Sequence, residues 1–163
     1  MDNMINLTID GVQVSVPAGT TVLEAARKAN IKIPTLCYLK NLNAIGACRM
    51  CVVETGARAP QAACVLPVAE GMNVKTNTPQ LRKYRRTLLE LLLSIHDRKC
   101  LSCPRNNNCE LQDLCRDLGV EDETAFADSV NKYAIDDASP CVVRNNNKCV
   151  LCRRCVAACH QQQ

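Results

Sequence analysis

The sequence predicts an α+β protein built of small units that need staples beyond an apolar core. Three observations predict this. An alternating two-strand pattern near the N-terminus runs into a capped helix. Aromatic residues are few, with three Tyr, one Phe and no Trp in 163 residues. Thirteen residues are cysteine, and the apolar fraction of 47% counts them. Small cores are completed by disulfides, metals or partner chains.

The first element is a strand over Met4-Ile5-Asn6-Leu7-Thr8-Ile9, which alternates apolar and polar residues. Asp10-Gly11 is a tight-turn signal, and Val12, Val14 and Val16 alternate on the return strand. Pro17-Ala18-Gly19 breaks the strand. Thr21 with Glu24 reads as a capping box for a helix through Val22, Leu23, Ala25, Ala26 and Ala29, closed by Ile33-Pro34. A hairpin with a helix across it is a grasp-like α+β arrangement. Val52-Val53-Glu54 reads as a further strand. Pro79 opens a second helix on which Leu81, Tyr84, Leu88, Leu91, Leu92 and Ile95 recur, with Arg82, Lys83, Arg85 and Arg86 expected mostly off that face. A third helix, Glu110–Leu118, is expected to bury Leu111, Leu114, Cys115 and Leu118, with Gly119 as its cap. A polar acidic stretch, Glu121-Asp122-Glu123, then leads to a cysteine-rich end.

The N-terminus, MDNMINLTIDG, has no basic and apolar secretion signal, and no apolar run reaches the roughly 18 residues of a membrane span. A cysteine-dense chain without such a signal points to the cytoplasm and to metal. An odd cysteine count also fits a disulfide framework poorly.

The cysteines fall into three groups. Cys37-x10-Cys48-x2-Cys51-x12-Cys64 offers two ligands on one short loop and two that close the site. Backbone N–H groups of the Gly46–Arg49 turn can point at sulfur and stabilise negative charge. Four thiolates suit [2Fe–2S] or zinc, and the spacing departs from the plant-type ferredoxin pattern, so spacing leaves the metal open. His96-x3-Cys100-x2-Cys103-x5-Cys109 suits zinc or a [4Fe–4S] cluster with one imidazole ligand. A lone His at a helix end is ordinarily a surface or capping residue, but three cysteines within the next 13 residues favour ligation. Cys149-x2-Cys152-x2-Cys155-x3-Cys159 matches the bacterial ferredoxin run for [4Fe–4S]. Its usual following Pro is replaced by His160, and no second run follows to share Cys159.

Together the strings GACRMCVVE, HxxxCxxCxxxxxCELQ and NKCVLCRRCV resemble the N-terminal iron–sulfur region of one superfamily. It includes the large iron–sulfur subunit of respiratory complex I, the electron-input region of modular [FeFe]-hydrogenases and NAD-linked formate dehydrogenases. The Cys-x3-Cys ending and Arg153-Arg154 resemble the hydrogenase branch more closely. The resemblance implies a β-grasp [2Fe–2S] ferredoxin-like domain over 1–79, with Cys37, Cys48, Cys51 and Cys64 as ligands. It implies a small helical [4Fe–4S] domain over 80–120, held by His96, Cys100, Cys103 and Cys109. After a linker over 121–140, it implies part of a bacterial-ferredoxin-type [4Fe–4S] module over 141–163. Cys149, Cys152 and Cys155 hold that third cluster, and Cys159 either completes it or serves a partner cluster. The family continues into a second ferredoxin motif and a catalytic or cofactor-binding domain. The chain is therefore expected to be a naturally short electron-transfer subunit or the front of a longer polypeptide, the ending just after Cys159 favouring the latter.

Cys115 and Cys141 remain. Cys115 reads as a buried structural thiol on an apolar face. Cys141, after Pro140, reads as a free thiol, with substitution as a fourth ligand the weaker alternative. With each oxidised core carrying about +2, the ligand thiolates bring the formal +4 to about −1. Nucleic-acid binding then loses its main support, and so few aromatics build no base-stacking platform. Arg82, Lys83, Arg85 and Arg86 are expected to form a solvated helix face or docking surface. Gly46, Gly56 and Gly71 are isolated, so no phosphate loop is present, and Asp136-Asp137 reads as a turn. No catalytic constellation appears, and a nicotinamide or flavin site must lie on another chain.

The expected function is an electron conduit between a flavin/NAD(P)H-binding or ferredoxin partner and a catalytic centre elsewhere. A colourless zinc-stabilised scaffold is the second reading. A redox or iron sensor with a labile C-terminal cluster is the third.

Overall fold

The computed structural model describes residues 3–121, 126 and 132–162. They fall into two units, one formed by residues up to Arg85 together with Cys152 onward, the other running from Arg86 to Leu151.

In the first unit, β1 (Met4–Ile9) pairs antiparallel with β2 (Val12–Pro17). Their register sets Ile9 opposite Val12 and Met4 opposite Pro17. Asp10 and Gly11 both take positive φ, +48° and +86°, the backbone twist that a two-residue hairpin requires. β1 also pairs in parallel with β5 (Asn73–Val74), giving the order β2-β1-β5. A separate small ladder joins β3 (Val52–Val53) to β4 (Gln61–Ala62). Strand alternation sends Leu7, Ile9, Val14 and Val16 into the core. There they meet Val22, Leu23, Ala25 and Ala26 of α1 (Val22–Lys28), along with Cys51, Cys64 and Val74. This is the α+β, grasp-like sheet read from the sequence.

α1 begins as expected, with Thr21 Oγ1 accepting from the Glu24 N–H at 3.4 Å. The box is only half used, because the Glu24 carboxylate turns to Arg27, Tyr38 and Lys40. Burial pushes Glu24 up, but the Tyr38 and Lys40 hydrogen bonds and the Arg27 charge outweigh it and hold the carboxyl below its ordinary value. The helix also stops earlier than Ile33-Pro34. Asn30 takes φ +57°, and its N–H and that of Ile31 satisfy the last carbonyls.

α2 (Pro79–Ser94) starts in the first unit and continues in the second. Its buried stripe is Leu81, Arg85, Leu89 and Leu93, while Tyr84, Leu91 and Ile95 are exposed. The expectation that Arg85 lies on a solvated face is therefore corrected. It is 3% exposed, so a buried stripe at i, i+4 spacing contains a guanidinium.

The second unit contains α3 (Glu110–Leu118), which buries Leu111 and Leu114 and ends at Gly119 with φ +64°. Among the described residues, Leu89, Leu93 and Val120 are the unit's other buried apolar residues. Asp136 and Arg144 pair main chain to main chain, so the later part of the expected linker carries structure. The acidic residues Asp122 and Glu123 lie outside the described residues. α4 (Arg154–Gln162) belongs to the first unit. Among the described residues no helix is long and apolar enough to cross a membrane.

Candidate metal centres

All thirteen cysteines are free of disulfides. The first group is gathered in one buried loop region. Cys37, Cys51 and Cys64 are essentially inaccessible, and Cys48 is half-buried. Two left-handed residues shape the loop, Gly46 at φ +61° and Arg49 at φ +56°. The positive φ favours glycine at position 46, where a Cβ would only reach ordinary contact with Val65.

Burial raises the Cys37 thiol, opposed by N–H groups of Cys48 and Ala47 that bond its sulfur. The Gly46 N–H bonds the Cys64 sulfur in the same way. Cys64 is lowered by a hydrogen bond from the Cys51 thiol, and Cys51 is raised by the same bond and by burial. Burial and the charge of neighbouring sulfurs thus oppose ionisation of Cys37 and Cys51 within a cradle of backbone donors. A cationic core relieves that opposition, and the donor set fits one. The turn donors are those the sequence pointed to.

Arg85 was not anticipated as part of this site. Its Nε donates to Met50 O at 2.9 Å, and its Nη2 donates to Val52 O at 2.7 Å and Thr76 O at 2.8 Å. Met50 and Val52 flank Cys51, so the guanidinium holds the backbone on both sides of that cysteine. Asp10 closes the far side, its carboxylate accepting from the Thr76 N–H at 2.8 Å and from the Thr76 hydroxyl.

The second group lines a cavity of about 420 Å³ in the second unit. His96, Cys100, Cys103 and Cys109 all contribute to its wall. Cys100 opens a 3₁₀ turn over Cys100–Ser102, and the Cys103 N–H bonds Cys100 O at 3.0 Å. Cys109 is the N-cap of α3, and its side chain makes no capping bond, leaving the sulfur uncommitted. Gln112 pins the loop between Cys103 and Cys109, accepting from Asn107 N at 3.1 Å and donating to Asn106 Oδ1 at 3.0 Å.

His96 Nδ1 is buried with no hydrogen-bond partner among the described residues. Burial lowers the imidazole below its ordinary value, the Lys148 ammonium adds to this, and Asp97 opposes it. A neutral ring with an unsatisfied buried nitrogen fits a metal ligand. Among the described residues no three His, Cys, Asp or Glu side chains form a group that could hold one ion.

Cys115 departs from its expected role. It is half-buried and lines the same cavity, its thiol raised by burial and by Cys100 and Cys109.

The third group is more open. Cys152 is half-buried, and Cys149, Cys155 and Cys159 are exposed. Cys149 belongs to the second unit, where its sulfur accepts from the Leu151 N–H at 3.4 Å. Cys152, Cys155 and Cys159 belong to the first unit, the last two one turn apart on α4. Leu151 and Arg153 take positive φ, +54° and +60°, coiling the chain tightly around Cys152. Cys141 is exposed.

Two family models match this chain. A 2Fe-2S iron-sulfur cluster binding domain matches residues 2–79. The NADH-ubiquinone oxidoreductase-G iron-sulfur binding region matches residues 85–124. In the crystal structure of an NAD+-reducing [NiFe]-hydrogenase in the H2-reduced state, a chain superposes with a TM-score of 0.90 at 35% identity. The match covers 97% of this chain and 67% of that one. This chain belongs to the family of N-terminal iron–sulfur regions of hydrogenase and NADH dehydrogenase subunits.

Within that family it is 42% identical to the NADP-reducing hydrogenase subunit HndD of Solidesulfovibrio fructosivorans, over 99% of this chain. It is 39% identical to the mitochondrial NADH-ubiquinone oxidoreductase 78 kDa subunit of Neurospora crassa, over 93% of this chain. The chain spans 28% and 21% of the lengths of these two curated relatives. As a member of the family, it is an iron–sulfur electron-transfer region with a [2Fe–2S] domain followed by a [4Fe–4S]-binding region.

Proposed function

We propose that this chain relays electrons between a flavin/NAD(P)H-binding or ferredoxin partner and a catalytic centre on another domain or chain, in the cytoplasm. Cys37, Cys48, Cys51 and Cys64 hold a [2Fe–2S] cluster. His96, Cys100, Cys103 and Cys109 hold a [4Fe–4S] cluster. Cys149, Cys152 and Cys155, with Cys159 as the fourth ligand, hold a further [4Fe–4S] cluster. Residues 1–79, 80–120 and 141–163 are the corresponding domains, joined by 121–140.

The observation that carries the reading is the chemistry of the first two donor sets. One is a buried quartet of thiols under backbone donors. The other is a cavity wall on which the thiols of Cys100, Cys103 and Cys109 join a neutral, unsatisfied imidazole. When bound, the clusters supply one-electron transfer. The chain's own residues supply the rest. The buried loop keeps water from Cys37, Cys51 and Cys64. The Gly46, Ala47 and Cys48 amides stabilise negative sulfur. His96 contributes no charge, which raises the potential at its site relative to four thiolates.

Iron per chain in anaerobically purified protein tests the reading. About ten irons are expected for three clusters. About six would remove the third site. Near-zero iron with stoichiometric zinc would replace the relay by a structural scaffold. The exposure of Cys149, Cys155 and Cys159 favours one second reading, a sensor whose third cluster is lost reversibly while the other two remain.

A further inference from the structure

A single amide side chain joins the loop of the first group to the loop of the third. Asn43 is 3% exposed. Its Nδ2 donates to Cys37 O at 2.8 Å and to Cys152 O at 2.9 Å. Both neighbours are carbonyl acceptors, so the NH2 and not the amide oxygen must face them. Two donor hydrogens meet two acceptors, and each acceptor belongs to a cysteine of a different group.

The backbone of Asn43 is fixed independently. Its N–H donates to Leu39 O at 2.8 Å, and its carbonyl accepts from the Leu39 N–H at 2.9 Å. Asn41, at φ +60°, turns the chain between them. The side chain therefore projects from a closed five-residue turn and loses little freedom when it bonds. A second bond runs alongside, from Arg154 Nη2 to Tyr38 O at 3.1 Å. Cys37, Tyr38, Asn43, Cys152 and Arg154 all lie in the first unit.

We propose that Asn43 is a positioning residue that clamps the Cys152 loop onto the Cys37 loop and so sets the electronic coupling between the first and third iron–sulfur sites. The coupling part rests on the relay reading above, and the clamp does not. Breaking the clamp frees the start of α4 without touching a ligand side chain. Buried carbonyls that lose a donor also seek water, which opens the seam.

The test compares holoprotein with Asn43→Ala and Asn43→Asp, the latter nearly isosteric but unable to donate. Hydrogen–deuterium exchange of α4 amides is expected to rise at least tenfold in both variants, with β1 and β2 unchanged. Power saturation of the reduced [2Fe–2S] electron paramagnetic resonance signal reads the coupling. Relaxation enhancement by the third cluster is expected to fall, with iron per chain at the wild-type value. Wild-type exchange in both variants overturns the clamp. Faster exchange with unchanged relaxation overturns the coupling and leaves the clamp. Should Asn43→Ala fail to fold, Asn43→Ser keeps one donor. Intermediate exchange then supports the clamp, and wild-type exchange overturns it. If the wild-type protein itself carries about six irons, the relay reading fails at its third site, and exchange alone decides the role of Asn43.

Discussion

Replacing Arg85 by methionine should cost the first unit more than the same change at any other basic residue of α2. The side chain is 3% exposed and makes three hydrogen bonds, all to main-chain carbonyls. Methionine is similarly long and refills most of the volume, so the loss is polar. Each buried carbonyl left without a donor costs about 1–3 kcal/mol. Partial recovery from burying an apolar chain, and from removing a desolvated cation, brings the sum to about 3–5 kcal/mol. A typical domain is stable by only about 5–15 kcal/mol, so the change is large. The assay is urea unfolding followed through the visible absorbance of the [2Fe–2S] site, with Arg82→Met, an exposed neighbour, as the control. Arg85→Lys restores the charge but not the three-way fork, and should recover part of the loss. A change below about 1 kcal/mol for Arg85→Met would show that water replaces the guanidinium and that Cys51 does not depend on it.

Cys48→Ser should remove the [2Fe–2S] signal and lower iron from about ten to about eight per chain, leaving the other signals intact. Loss of every signal would show that the units do not fold independently. His96→Cys should keep a [4Fe–4S] cluster, with its potential lowered by at least about 59 mV, a tenfold shift for one electron. An unchanged potential in redox titration would argue against ligation by His96. Tyr38 is pushed up to about 12 by burial and by its hydrogen bond to Glu24. Its contribution to stability is complete below the ordinary phenol value near 10 and is lost as pH rises through about 12. Tyr38→Phe should abolish that alkaline transition and cost about 1 kcal/mol, both read by pH-dependent denaturation.

The hairpin and its helix were legible because strand alternation, the Asp10-Gly11 turn and the Thr21 cap all act locally. Gly119 was legible for the same reason. The cysteine groups were legible as spacing, and family strings turned spacing into iron–sulfur chemistry. What escaped was polar and long-range. Arg85 sits among four basic residues, three of them exposed. Only its i, i+4 relation to Leu81 and Leu89 hinted at burial, and a charge at that position reads as surface. Asn43 lies in a short polar loop, and its partner Cys152 is 109 residues away. No periodicity encodes such a contact. Cys115 was assigned to an apolar face correctly in phase, but that face also borders the cavity of the second group.

These omissions share a physical origin. Apolar packing holds the side chains of Cys51 and Cys64 but pairs none of the loops' main-chain carbonyls. Main-chain carbonyls next to ligand cysteines are abundant in such loops and need donors. Arg85 takes the carbonyls on either side of Cys51, and Asn43 takes those of Cys37 and Cys152. Both are buried, and both bond backbone instead of sulfur. Each therefore constrains where its cysteine neighbours sit without engaging their sulfurs. An apolar residue at either position would fill space but leave carbonyls unpaired. A carboxylate would repel them. Arginine and asparagine, as donors of fixed geometry, are what this placement demands. On the proposed assignment, Cys37, Cys51 and Cys152 are thus held by backbone bonds that leave their sulfurs free for a cluster.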